Sequence, residues 1–243
     1  MIKEYSKQLK LSYLKENHER LIQEATALNQ GYKEFLEQIL ALEVEQRKNN
    51  RIQTLVRQSK LPQKVTFDDY LNSHLPPKLQ KQIKELQTLQ FIDRKENLIL
   101  LGNPGVGKTY LATTIGMEAC LIGKSVLFTN IPNLVVELKE AMSAKQLTYY
   151  KRRFSKYDLV ILDELGYVSF DQAGSEILFN LLSNRTSMGS VIITTNLSFD
   201  RWEEVFKDPM LTAAMVDRIA HRAHVLDLSG KSFRVEDTKK WLN

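Results

Sequence analysis

Eight residues constrain this chain more than any other feature: Gly102, Asn103, Pro104, Gly105, Val106, Gly107, Lys108 and Thr109. They fit the pattern G-x-x-x-x-G-K-[ST], with the apolar run "NLILL" before them and a helical pattern opening at Tyr110. Gly102, Gly105 and Gly107 let the backbone turn tightly, so that its N–H groups face phosphates at a helix amino end. Lys108 supplies a point charge to the β- and γ-phosphates, and Thr109 supplies a hydroxyl to Mg²⁺. A glycine turn that binds nothing is the bland alternative, and the strand-then-helix context argues against it. The expected ligands are ATP and Mg²⁺, on residues 102–110.

Such a loop needs a sheet to stand on. Short apolar runs recur after residue 90, at 97–101, 125–129, 158–162, 190–195 and 224–228, with helical patterns between them. Each run is unbroken rather than alternating, as in strands covered on both faces. The expectation is an α/β domain, doubly wound on a parallel sheet of five strands.

Hydrolysis also needs a carboxylate near the metal and a group that activates water. "DLVILDELG" places Asp163 directly after an apolar run, suited to hold Mg²⁺, and Glu164 beside it as general base. A solvated turn is the competing reading of that acid pair. "SVIITTN" ends in Asn196, an amide able to orient the lytic water, or simply an Asn in a turn. "MLTAAMVDRIAHRAH" carries Arg218 and Arg222 on a helical segment. One of them could act as an arginine finger on a neighbouring subunit's nucleotide; a solvated helix face is the alternative. His221 and His224 lack ligand partners at metal spacing and read as surface or packing residues.

The first 60 residues have a different texture. Leu11, Leu14, His18, Leu21, Ile22, Ala25 and Leu28 recur at three- and four-residue intervals, as on one stripe of a helix. Asn29 to Gly31 interrupts it, and Phe35, Leu36, Ile39, Leu40 and Leu42 open a second run. Two or three helices are therefore expected before residue 61. Prolines between 61 and 77 break both periodicities. The expected organisation is a helical domain at 1–65, a linker and adaptor segment at 66–90, and an ATPase domain at 91–243.

A formal charge of +5 on 243 residues is only a modest basic excess, so its distribution decides. In "QRKNNRIQTLVRQSK" Ile52, Leu55 and Val56 share one side of a helix, while Arg47, Lys48, Arg51, Arg57 and Lys60 occupy the remainder. That face could meet backbone phosphates or merely solubilise a long helix. "YYKRRFSKY" interleaves Lys151, Arg152 and Arg153 with aromatics and is a second candidate, against the alternative of a packing helix with a wet edge. The single cysteine, Cys120, excludes an internal disulfide framework and implies a reducing compartment. With no signal-like amino terminus and no long apolar window, a cytoplasmic location is expected.

Four longer segments carry a resemblance: "GNPGVGKTYLA", "LVILDELGYVSFDQAGSEILFNLLSNR", "VIITTNLSFDRWEEVFKDP" and "AAMVDRIAHRAHVLDLSGKSFR". Together they resemble the IstB-type ATP-binding proteins, helper ATPases of bacterial insertion sequences within the AAA+ superfamily, close to the DnaC/DnaI helicase loaders. The resemblance implies an ATPase that oligomerises on duplex DNA, with active sites at subunit interfaces, remodels the DNA, and recruits or stimulates a transposase. It matches Lys108, Thr109, Asp163, Glu164 and Asn196 to nucleotide and sensor positions and Arg218 to the finger. The short stretch after the last apolar run departs from the superfamily's helical lid, leaving little or no lid and only Arg234 as a replacement sensor arginine. A helicase loader gripping a replicative helicase, a small-molecule P-loop kinase and a nucleotide-gated adaptor are the competing functions.

Overall fold

The structure, a computed structural model, describes residues 1–68, 77–185, 188–230 and 232. It divides into two compact units, Met1–Thr54 and Leu55–Asn243. Arg234 lies outside the described residues.

The amino-terminal unit is helical. Helix α1 covers Ile2–Gln8, α2 covers Ser12–Ala27, and α3 starts at Tyr32 and runs to Gln58, past the boundary between the units. Lys10 and Asn29 adopt positive φ and end α1 and α2. Only part of the expected apolar stripe is covered. Leu21 is buried, whereas Ile22, Leu28, Leu36 and Leu40 are exposed. The buried carboxylate of Glu43 on α3 accepts from the backbone N–H of Leu14 at 2.7 Å, satisfying a donor in the first turn of α2.

The larger unit holds a five-stranded sheet: β1 (Asn97–Leu101), β2 (Val126–Asn130), β3 (Leu159–Leu165), β4 (Ser190–Thr195) and β5 (Ala223–Asp227). The strand order is β2-β3-β4-β1-β5 and every pairing is parallel. This is the doubly wound arrangement expected from the unbroken apolar runs. The first face packs α4 (Pro77–Gln87), α5 (Gln90–Asp93) and α6 (Lys108–Leu121), through Ile83, Phe91, Ile92, Leu111 and Ile115, against Leu98, Leu100 and Ile161. The second face packs α7 (Ile131–Ser143), α8 (Leu147–Phe154), α9 (Gln172–Ser183), α10 (Glu203–Phe206) and α11 (Pro209–Ala220) through Leu134, Leu178, Trp202 and Met215. Burying each such side chain is worth about 1.5–3 kcal/mol.

Two expectations about boundaries need correction. The segment 66–90 is not merely a connector, because Phe67, Leu79, Ile83, Leu86 and Leu89 belong to the core under β1. The division between the units falls after Thr54, not at 65, since Leu55, Val56 and Leu61 pack on that same core. Among the described residues, no helix is long and apolar enough to cross a membrane.

Candidate nucleotide site

The loop from Gly102 to Gly107 leaves the carboxyl end of β1 and enters α6 with Gly107 as its cap. Gly102, Gly105 and Gly107 all have positive φ, at 149°, 83° and 88°. A Cβ on Gly102 would lie 3.0 Å from Val106 Cγ2 and 3.1 Å from the carbonyl carbon of Leu228, so this position has neither the conformation nor the room for a side chain. Lys108 is buried, and its Nζ donates to the carbonyls of Gly102 at 2.7 Å and Asn103 at 2.9 Å. A cation is thereby held beneath a turn whose amides open at a helix amino end, the geometry that suits an anion.

The second and third motifs arrive at the same edge of the sheet. Asp163 is buried near the end of β3, and its Oδ1 and Oδ2 lie 2.9 and 3.1 Å from the Thr109 hydroxyl, which donates to them. Thr194 of β4 donates to the same Oδ1. Two adjacent oxygen groups, one of them a carboxylate, form a hard donor set that fits Mg²⁺. Glu164 is exposed and holds φ at 68°, a conformation rare outside glycine. It sits where the register slips by one residue, from Leu162 opposite Ile193 to Leu165 opposite Thr195.

Asn196 follows β4 at this edge, and its Oδ1 is buried without a hydrogen-bond partner. A buried carbonyl oxygen left unpaired is costly and marks a place where a ligand or water belongs. Gly166, with φ 109°, sits against it: a Cβ there would stand 2.7 Å from Asn196 Oδ1. Lys108, Thr109, Asp163, Glu164 and Asn196 thus converge on the carboxyl edge of three adjacent strands, where open α/β sheets bind ligands.

Arg218 does not join them. It lies in the last turn of α11, at the amino end of β5, where its guanidinium donates to the Ser183 hydroxyl and covers the Phe179 ring at 4.6 Å. Both partners are on α9, which ends at Ser183 on the approach to β4. Strands of five residues separate that edge from the loop by about 15 Å. Arg222 adopts positive φ, and its carbonyl accepts from Asn97 N–H at 2.9 Å. His224 Nε2 lies 2.8 Å from the Glu96 carboxylate, which accounts for it without a metal.

The basic candidates are placed as follows. Arg47, Lys48, Arg51 and Arg57 are exposed on α3, with Arg47 donating to the Lys10 carbonyl at 3.2 Å. Lys60 is exposed, 4.0 Å from Glu137. Arg152 and Arg153 are exposed on α8 and Lys151 is half-buried there. Lys60 and Arg153 line one small cavity with Glu137 and Tyr150, whose hydroxyl donates to Glu137 at 2.8 Å.

Sequence reasoning passed over Arg185, which is fully buried. Its guanidinium donates to the carbonyls of Phe154, Tyr157 and Ser190 at 2.9, 2.7 and 3.1 Å, fixing the end of α8 to the sheet. Burial lowers its pKa to about 10, against the raising effect of Asp158. Nothing in "LLSNRTS" distinguishes this arginine from a surface one. Thr194 and Gly166 were also missed, since their significance depends on a cross-strand neighbour and a local dihedral.

Comparison with known proteins adds a whole-chain likeness. A family model described as "IstB-like ATP binding protein" matches residues 4–240. The insertion sequence IS5376 putative ATP-binding protein of Geobacillus stearothermophilus is 37% identical over 238 residues, covering 98% of this chain and 95% of that protein. The insertion sequence IS21 putative ATP-binding protein of Pseudomonas aeruginosa is 34% identical over 232 residues, covering 96% and 88%. Among solved structures, the DnaC helicase loader aligns with a TM-score of 0.54 at 18% identity, over 64% of this chain and 93% of that one. AMPPCP-bound DnaA from Aquifex aeolicus aligns at 0.58 and 15% identity, over 74% of this chain and only 56% of that one. At such identities the two structures share the fold and nothing more is drawn from them.

Proposed function

Because this chain belongs to the family of IstB-like ATP-binding proteins, we propose that it is a Mg²⁺-dependent ATPase that assists transposition. In this reading it assembles on duplex DNA, remodels it, and recruits or stimulates a transposase in the cytoplasm. The observation that carries the hydrolytic part is the meeting of Thr109, Asp163, Glu164 and Asn196 at one sheet edge beside the loop of Lys108.

The loop amides and Lys108 bind the phosphates. Thr109 and Asp163 would hold Mg²⁺, which would supply positive charge to offset that of the phosphates. Glu164, aimed out of the sheet, takes the proton of the attacking water, and Asn196 orients that water through its unpaired oxygen. Arg218 stands at the wrong edge to serve its own loop and is suited to stabilise charge on the nucleotide of an adjacent copy. The exposed cations of α3 and α8 meet backbone phosphates of DNA without reading bases. A replicative helicase in place of a transposase is the alternative partner; no feature of this chain favours it over the insertion-sequence relatives.

The test is the rate of ATP hydrolysis with and without duplex DNA, together with DNA binding in ATP and in ADP. DNA should accelerate turnover and ATP should tighten DNA binding. A rate indifferent to DNA, with binding indifferent to nucleotide, would overturn the transposition reading.

A further inference from the structure

Thr194 is 1% exposed on β4, opposite Leu100 of the strand that feeds the phosphate loop, and on its other side it meets the two acids. Its hydroxyl is used twice. It donates to Asp163 Oδ1, and it accepts the backbone N–H of Glu164 at 3.0 Å. A hydroxyl has one proton and two lone pairs, so both bonds coexist.

The register explains why the site needs such a group. From Leu162 opposite Ile193 to Leu165 opposite Thr195, β3 advances three residues while β4 advances two. Asp163 and Glu164 therefore share the single neighbour Thr194, as in a β-bulge, where one residue is left outside the ladder. At that slip the Glu164 N–H donates to a side chain of β4, Thr194 Oγ1. The bulge also separates the acids: Asp163 stays buried beside Thr109, while Glu164 turns outward at φ 68°. That dihedral is strained and persists only where its surroundings hold it.

We infer that Thr194 is a positioning residue for ATP hydrolysis: one hydroxyl fixes the carboxylate of Asp163 and the backbone that aims Glu164. This inference rests on the ATPase reading above. Valine keeps the shape but supplies neither bond, leaving the Glu164 N–H without its side-chain acceptor and Asp163 with one donor fewer. Serine keeps the hydroxyl.

The test compares wild type with Thr194→Val and Thr194→Ser in the full chain, by three measurements: ATP turnover, binding of a fluorescent ATP analogue without divalent cation, and hydrogen exchange of the Glu164 amide. Thr194→Val should lower kcat roughly 10- to 100-fold and speed exchange at Glu164, with metal-free affinity within about twofold of wild type. Thr194→Ser should recover kcat to within about threefold of wild type and restore protection. Should valine prevent folding, Thr194→Ala repeats the comparison with a smaller side chain. Turnover within about threefold of wild type in the hydroxyl-free variant, unchanged Glu164 exchange, or serine as impaired as valine would each overturn the inference. A wild type without ATPase activity is a different result: the hydrolytic reading fails there, and the role of Thr194 falls with it.

Discussion

The Thr109 hydroxyl donates across 54 residues of sequence to the carboxylate of Asp163, at 2.9 and 3.1 Å to its two oxygens. The contact joins the first turn of α6 to the end of β3 and makes one oxygen-rich corner from two motifs. Thr109→Val should remove the tightening of ATP binding by Mg²⁺, by about tenfold, and leave metal-free binding little changed. Titration of a fluorescent ATP analogue with and without Mg²⁺ checks this; equal tightening in the variant would separate Thr109 from the metal.

Gly166 is expected to tolerate no side chain. Its φ of 109° is strained for any L-residue, and a Cβ would stand 2.7 Å from Asn196 Oδ1 and 2.8 Å from Leu197 Cγ. Gly166→Ala should cost about 1–3 kcal/mol in urea unfolding and lower kcat more than nucleotide affinity. A variant as stable and active as wild type would show that Asn196 can be displaced freely.

Arg185 is a structural cation rather than a ligand-binding one. Replacing it with methionine would strip three carbonyls, two of them in buried bonds, of this donor. Denaturant unfolding should register a loss of about 3–5 kcal/mol. Lysine should rescue little, because one ammonium on a flexible stem lacks the planar fork that reaches the three carbonyls of Phe154, Tyr157 and Ser190.

Cys120 lies fully buried on α6, and burial pushes its thiol up to about 11, against the lowering effect of a hydrogen bond with Ser59. Since the thiolate is the reactive form, roughly one thiol in a thousand is ionised at pH 8. An aromatic disulfide reagent should therefore react slowly with native protein and rapidly after unfolding. Fast native labelling would mean that α6 opens.

Arg218→Ala should retain nucleotide and lose hydrolysis, and mixing it with Lys108→Ala should restore part of the activity. Of the two kinds of mixed interface, the one that takes its loop from the Arg218→Ala copy and its arginine from the Lys108→Ala copy is intact. No recovery across a range of mixing ratios would argue against action between subunits.

Much of this architecture is visible in the chain itself. The runs at 97–101, 158–162 and 190–195 are apolar on both faces because helices cover both, so their strand character survives without knowledge of the partners. Asp163 and Asn196 are recognisable for the same reason, as polar residues that end such runs. Thr194 carries no comparable signal: a threonine inside "VIITTN" suits any strand, and only the slipped register opposite Asp163 gives it work. Prolines made 66–90 look like a connector, although Ile83 and Leu86 return every third residue to the core. The basic residues of α3, and Arg152 and Arg153 of α8, are exposed as their sequence suggests, but exposure follows equally from solubility, and periodicity does not separate the two.

The separation of Arg218 from the phosphate loop carries a geometric consequence. If Arg218 completes the loop of an adjacent copy through a heterologous contact, the rim of one copy meets the opposite rim of the next, front to back. Such a contact propagates with a direction. If it closes, every member is equivalent; if it stays open, the copy at one end keeps a bound nucleotide that no neighbour completes. Length and turnover would then be linked, with n copies offering n − 1 finished sites and an isolated copy none.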